Sequence, residues 1–125
     1  MKKLILSVAS LLGVLAIVLG AFGAHVLEDY LILSDKLHSF ETAVKYQFYH
    51  VFFLIVLGLC YDQFDKRLTK YAFFSVLVGI FLFSGSLYVL CLTNNNMFGI
   101  LTPFGGIFLI ISWFLFLFSI KEHPD

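Results

Sequence analysis

The chain has 125 residues, of which 61% are hydrophobic, 18% aromatic and only 13% charged. A water-soluble domain carries about 25% charged residues, so this chain cannot cover an aqueous surface of normal size and lipid contact has to replace the missing charge. A formal net charge of zero leaves no basic field for nucleic acid; the charges inform only through their positions.

Met1, Lys2 and Lys3 precede an apolar run, the layout of a secretory signal peptide, and Ala21, Gly23 and Ala24 supply small residues for a cleavage site. The run nevertheless continues uncharged from Leu4 to Leu27, 24 residues, which is the length of a membrane span. An uncleaved first span over 4–27 is the expectation. It carries small residues at Ala9, Gly13, Ala16, Gly20 and Ala24, on one helical face. Small residues at such spacing let helix backbones approach closely. The partner is another span or another subunit, so a homo-oligomer stays open.

The segment 28–45 holds Glu28, Asp29, Asp35 and Glu41. Ser34 is placed to cap a helix start, and Leu37, Phe40 and Val44 follow at helical spacing. This predicts a short amphipathic helix on the membrane face, running into a second span over 43–61. Lys45 then snorkels outward from that span.

Tyr71 to Ile120 contains no charged residue. Fifty residues of helix would reach about 75 Å, more than twice the ~30 Å hydrocarbon core, so the run must fold back. Thr93, Asn94, Asn95 and Asn96 form the polar break, with Gly99 and Pro103 just beyond. The third and fourth spans are expected at 71–93 and 100–120. Gly79, Gly105 and Gly106 extend the small-residue packing set. Solid apolar runs rather than ten-residue alternation exclude a membrane barrel. The fold class is therefore all-α: a polytopic, single-domain bundle of four transmembrane helices over 1–125, with a short amphipathic outer helix before the second span.

Four spans put both termini on one side, together with Lys2, Lys3, Lys66, Arg67, Lys70 and Lys121, six of the eight basic residues. Excess Lys and Arg marks the cytoplasmic side. The expected location is the cell (inner) membrane with cytoplasmic termini. Cys60 and Cys91 fall near opposite membrane faces, about 25 Å apart across the ~30 Å core, too far for a disulfide.

Converting sequence offset from each expected midpoint to depth at ~1.5 Å per residue gives a pattern. His25, Gln47, His50, Ser84, Ser86, Tyr88 and Thr102 all fall in the outer halves of their spans, whereas the inner halves are mostly Leu, Ile, Val and Phe. Unpaired polar groups are costly in hydrocarbon. These residues are therefore expected to bond across helices, with Gln47 and His50 sharing one face. Such a cluster is either packing glue or a ligand-binding pocket open to the outer side.

Several chemistries fit poorly. A proton-coupled small multidrug transporter needs a membrane-embedded carboxylate, and here every Asp and Glu lies in a loop or at a span end. Bis-histidine haem ligation needs equal depths, and His25 and His50 differ by about 10 Å. His25, His38 and His50 lack the close spacing of zinc ligands. Phosphate loops, dinucleotide fingerprints and nucleophile elbows are missing, and Ser84-Gly85-Ser86 has no local base. No catalytic residue, metal or cofactor is expected.

Four motifs occur in order: Gly20-Ala21-Phe22-Gly23-Ala24-His25; Thr42-Ala43 with Tyr46-Gln47 and His50; Ser84-Gly85-Ser86-Leu87-Tyr88; and Thr102-Pro103 with Gly105-Gly106. Over nearly its whole length the chain resembles the small bacterial membrane-protein family of unknown function represented by YgdD and YwdK, which has a eukaryotic transmembrane relative. The resemblance implies four spans and says little of activity. Its motif positions coincide with His25, Gln47, His50, Ser84, Ser86, Tyr88 and Thr102. The expected role is a structural or accessory membrane protein, partnered by the bilayer. The alternative is a binder or carrier of a small or lipid-like ligand in the polar cluster.

Overall fold

The computed structural model describes residues 1–122; the side chain of Lys121, counted above among the basic residues, lies outside the described set. The described residues form six α-helices: α1 (Lys2–Ala24), α2 (Glu28–Leu33), α3 (Leu37–Leu59), α4 (Lys66–Ile80), α5 (Ser86–Thr93) and α6 (Thr102–Glu122). A π-helical turn, Phe81–Gly85, joins α4 to α5 without interrupting the rod, and a 3₁₀ turn, Asn96–Ile100, precedes α6. Four helical segments are long and apolar enough to cross a membrane: Lys2–Ala24, Leu37–Leu59, Lys66–Thr93 and Asn96–Ile120.

The first span ends three residues earlier than the apolar run predicts, because the chain turns at His25. The second starts six residues earlier. Leu37, Phe40 and Val44 occupy the first turns of α3 itself, and Phe40 is buried. The short helix ahead of the second span lies at Glu28–Leu33, with Leu31 as its buried anchor. Ser34 caps no helix start. It follows the end of α2, and its Oγ donates back to the Tyr30 carbonyl at 2.9 Å.

Two left-handed residues make the reversals. Asp35 has φ 58° between α2 and α3, and Asn94 has φ 55° where α5 ends. Asn tolerates this region because its short side chain bonds locally. Asn95 then accepts from the Met97 N–H at 3.0 Å, which starts the 3₁₀ turn. Pro103 sits in the first turn of α6, where its missing N–H has no helical partner to lose.

These turns gather at one end of the bundle, the hairpin end. Tyr30 Oη donates to the Leu92 carbonyl at 3.3 Å, and Lys36 Nζ donates to Asn96 Oδ1 at 3.3 Å. At the opposite, terminal end, Lys2 pairs with Asp62 at 3.9 Å and the Asp65 N–H donates to the Ser119 carbonyl at 3.2 Å. Asp65 also caps α4, its carboxylate accepting from the Leu68 N–H at 2.8 Å.

Within the bundle α1 packs along α3 and α4 along α6, while α3 also meets α4 and α5. A core of Ile5, Ala9, Phe53, Leu54, Leu57, Ala72, Phe73, Val76, Ile80 and Leu109 fills the terminal half. A smaller one, Leu31, Phe40, Leu90 and Cys91, closes the hairpin end. Cys60 and Cys91 are both free thiols, the first at the C-cap of α3 and the second in the hairpin-end cluster.

Candidate functional site

Between the two apolar cores runs a layer of polar side chains, each bonded to another helix or to its own turn. Gln47 on α3 is its centre. Its Nε2 donates to the Leu12 carbonyl of α1 at 2.9 Å, and its Oε1 accepts from Tyr88 Oη of α5 at 2.6 Å. One amide thus ties three helices. Ser84, in the π turn, donates to the Ala43 carbonyl of α3 at 2.7 Å. Ser86 Oγ donates to the Phe83 carbonyl at 2.9 Å and lies 2.7 Å from Thr102 Oγ1 of α6.

His50 is bonded at both ring nitrogens. Nδ1 is 2.7 Å from the Tyr46 carbonyl, which only accepts, so Nδ1 carries the proton. Nε2 is 3.1 Å from Trp113 Nε1. An indole N–H only donates, so Nε2 is the bare acceptor. The bonding therefore specifies the neutral Nδ1–H tautomer, and a second proton would displace Trp113. The His50 and Trp113 rings sit edge to face at 6.1 Å, and Phe53 lies 4.4 Å from the indole.

Trp113 is absent from the expected set, and the span boundaries explain why. Counted from the expected midpoints, His50 and Trp113 fall on opposite sides of centre, about 8 Å apart at 1.5 Å per residue. The observed helices are Leu37–Leu59 and Thr102–Glu122. Counted from their midpoints, the two residues differ by about 2 Å. His50 accordingly lies near mid-helix rather than in the outer half. The overlooked signal was a lone donor-only side chain in an otherwise apolar run.

His25 does not join the layer. It terminates α1, is exposed, and lines a shallow recess with Val18, Ala21, Phe22 and Val26. The helix turns away before His25 can reach inward. Thr102 does join, through Ser86. Among the described residues no group of three or more His, Cys, Asp or Glu is placed to hold a metal ion.

The small residues divide. Ala9 and Ala16 are fully buried in the α1–α3 seam, and Gly13 and Gly20 face Val51 and Val44 across it. Ala24 is exposed because α1 ends there. Gly23, not in the expected packing set, is the tighter contact: a methyl there would stand 2.6 Å from Phe40 Cδ1. Gly58 likewise accommodates Leu6, whose Cδ2 an added methyl would meet at 2.6 Å. A methyl at Gly79 would stand 2.9 Å from the Leu109 backbone nitrogen. Gly105 is the closest approach: an added Cβ would lie 2.7 Å from the carbonyl carbon of Leu82 and 2.7 Å from Phe83 Cα. Those atoms belong to or abut the π turn, so α6 lies directly on that irregular backbone. Gly106 is looser, with Phe83 Cδ2 at 3.9 Å.

No buried side-chain nitrogen or oxygen among the described residues lacks a partner. A recess of about 180 Å³ opens beside the layer, between α1 and the π turn, lined by Leu12, Leu15, Leu19, Gln47, Ile80, Phe81, Ser84, Gly85 and Tyr88. Its wall is apolar because Gln47, Ser84 and Tyr88 spend their polar atoms on neighbouring helices.

The family profile described as "Protein of unknown function (DUF423)" matches residues 19–106. The chain belongs to this family. It is 40% identical to a UPF0382 membrane protein of Staphylococcus epidermidis, over 94% of each chain. It is 38% identical to the Bacillus subtilis UPF0382 membrane protein YwdK, over 97% of this chain and 98% of that one. The Escherichia coli UPF0382 inner membrane protein YgdD is 33% identical, over 93% of this chain and 88% of its own. No solved structure matches. Like these relatives the chain is a membrane protein, and its four long apolar helices make it multi-pass. The family match spans His25, Gln47, His50, Ser84, Ser86, Tyr88 and Thr102, while Trp113 lies beyond it.

Proposed function

We propose that this is a structural or accessory protein of the cell membrane, with no catalytic role, in which the polar layer locks four spans into one arrangement. The observation that supports this is the saturation of the layer. Gln47, His50, Ser84, Ser86 and Tyr88 are all bonded, and five of the bonds cross between helices. Interhelical bonds in membranes average ~0.6 kcal/mol and reach about 1–2 kcal/mol, so such a layer adds stability and fixes register. Gly13, Gly20, Gly79, Gly105 and Gly106, with Ala9 and Ala16, serve close packing in the same reading. The excess of Lys and Arg at the terminal end supports a topology with both termini in the cytoplasm. The test is thermal unfolding of Gln47→Leu and His50→Leu in detergent. Both are expected to melt earlier than the parent; unaltered melting together with a lost cellular phenotype would overturn the reading.

A second reading, binding of a small or lipid-like ligand at the layer, draws on the recess beside Gln47 and Tyr88 and on Gly85. An added Cβ at Gly85 would have nothing within 4 Å, so close packing does not require glycine there. With the polar atoms engaged, the ligand of such a recess is apolar. Density between α1 and the π turn in a lipid-embedded experimental structure would support it; a void filled by Leu12 and Phe81 would sink it.

A further inference from the structure

We infer that a second recess, on the hairpin-end half of the α1–α3 seam, is a binding site for one phospholipid bearing a primary ammonium headgroup, phosphatidylethanolamine. The recess has a volume of about 420 Å³ and is lined by Gly20, Gly23, Ala24, Phe40, Glu41, Val44 and Lys45. It shares no lining residue with the recess beside Gln47, so it stands independently of the readings above.

Its wall and its rim are chemically different. Gly20, Gly23, Ala24, Phe40 and Val44 make an apolar trough suited to an acyl chain. Glu41 and Lys45 add opposite charges one helical turn apart, a rise of about 6 Å. A Glu followed by a Lys at this spacing normally pairs on a helix. Here neither takes part in a salt bridge or a side-chain hydrogen bond among the described residues, although Lys2, Lys66 and Asp62 do pair elsewhere. Lys45 lies eight residues into α3, about 12 Å below its start. Its flexible stem lets the ammonium rise to the level of lipid phosphates.

The two charges discriminate among headgroups. Lys45 donates to a phosphate, which every glycerophospholipid carries. Glu41 is an acceptor only, and it forms a charge-assisted bond with an ammonium that has N–H groups to give. Ethanolamine has such an ammonium, two carbons from the phosphate oxygen. Choline is quaternary and has no N–H. Glycerol headgroups leave the lipid net negative and bring no cation to Glu41.

The full-length protein, reconstituted into nanodiscs of equimolar phosphatidylethanolamine, phosphatidylcholine and phosphatidylglycerol, is extracted gently, and its retained lipids are identified by native mass spectrometry. Several-fold enrichment of phosphatidylethanolamine over both others is expected. Glu41→Gln should bring phosphatidylethanolamine down to parity with phosphatidylcholine. Lys45→Gln should lower retention of both, and Gly20→Leu, which fills the trough, should abolish retention. Melting temperature identifies any variant that is unfolded rather than unable to bind. Parity of the three lipids in the parent protein overturns the proposal. So does a phosphatidylglycerol preference, which would reduce the site to Lys45 alone, or an ethanolamine preference that survives Glu41→Gln in folded protein.

Discussion

The terminal half and the hairpin-side half of this bundle are held together by different forces. In the terminal half, Ile5, Leu54, Leu57, Phe73 and Val76 pack around Ala9 and Ala72. Lipid tails are as apolar as these side chains, so burial from water supplies little drive and close van der Waals contact supplies most. Small residues matter there because they bring backbones within contact. Toward the hairpin end the helices carry Gln47, Ser84, Ser86 and Tyr88, and directional bonds take over. Packing tolerates small sliding of one helix against another, whereas a Gln47 amide bonded to both Leu12 and Tyr88 does not. The contrast teaches that stability and register are separable here, with register set in the polar layer.

Substitutions can break that division. The largest effect is expected at Gly105, where both regimes meet. Gly105→Leu drives a side chain into the Leu82 and Phe83 backbone, which cannot swing aside as a side-chain tip can. Overpacking of this kind costs about 3 kcal/mol or more, and thermal unfolding in detergent should show a large drop. A small drop would mean that the π turn yields, and that α6 is not anchored on it.

Gln47→Leu comes next. It removes two interhelical bonds and strands the Tyr88 hydroxyl, at a cost of about 1–3 kcal/mol. Combined with Tyr88→Phe, the double variant should be less destabilised than the sum of the singles, since the orphaned hydroxyl is gone. Strict additivity would count against a shared bond.

His50→Leu is expected to cost about 1–2 kcal/mol and to alter Trp113, the chain's single tryptophan. The fluorescence of that residue should shift with loss of its acceptor. An unchanged spectrum would show that the indole N–H does not rest on His50.

Gly85→Ala is the smallest and runs the other way. A methyl there meets nothing within 4 Å, and alanine favours helix by ~1 kcal/mol over glycine. A slight rise in melting temperature is expected. A clear fall would reveal an occupant in the adjoining recess, because only a ligand would clash with that methyl.

How far the sequence could be read differs between these regions. The polar turn at Asn94–Asn96 was legible because a 50-residue uncharged run has to reverse and offers one place to do so. The pairing of Gln47 with Tyr88 and of Ser86 with Thr102 was legible because polar groups at similar depth in lipid must satisfy one another. The start of α3 was less legible, since Leu37–Lys45 mixes charges with apolar residues and hydropathy alone cannot tell a surface helix from the top of a span. That error in the midpoint displaced His50 and concealed Trp113.

Charge deficit, run length and the cost of unsatisfied backbone in hydrocarbon determined by themselves that this chain forms four membrane helices, and the depth of its polar residues determined that they must bond. Those constraints act along each helix separately and are visible in one dimension. Only the tertiary structure decided that Leu12 and Ala43 would accept through their backbones, that the chain would widen into a π turn at Phe81–Gly85 beneath Gly105, and that Trp113 would close on His50. Carbonyl acceptors exist at every residue and carry no sequence signal. Which ones are used depends on the rotation and register of one helix against another.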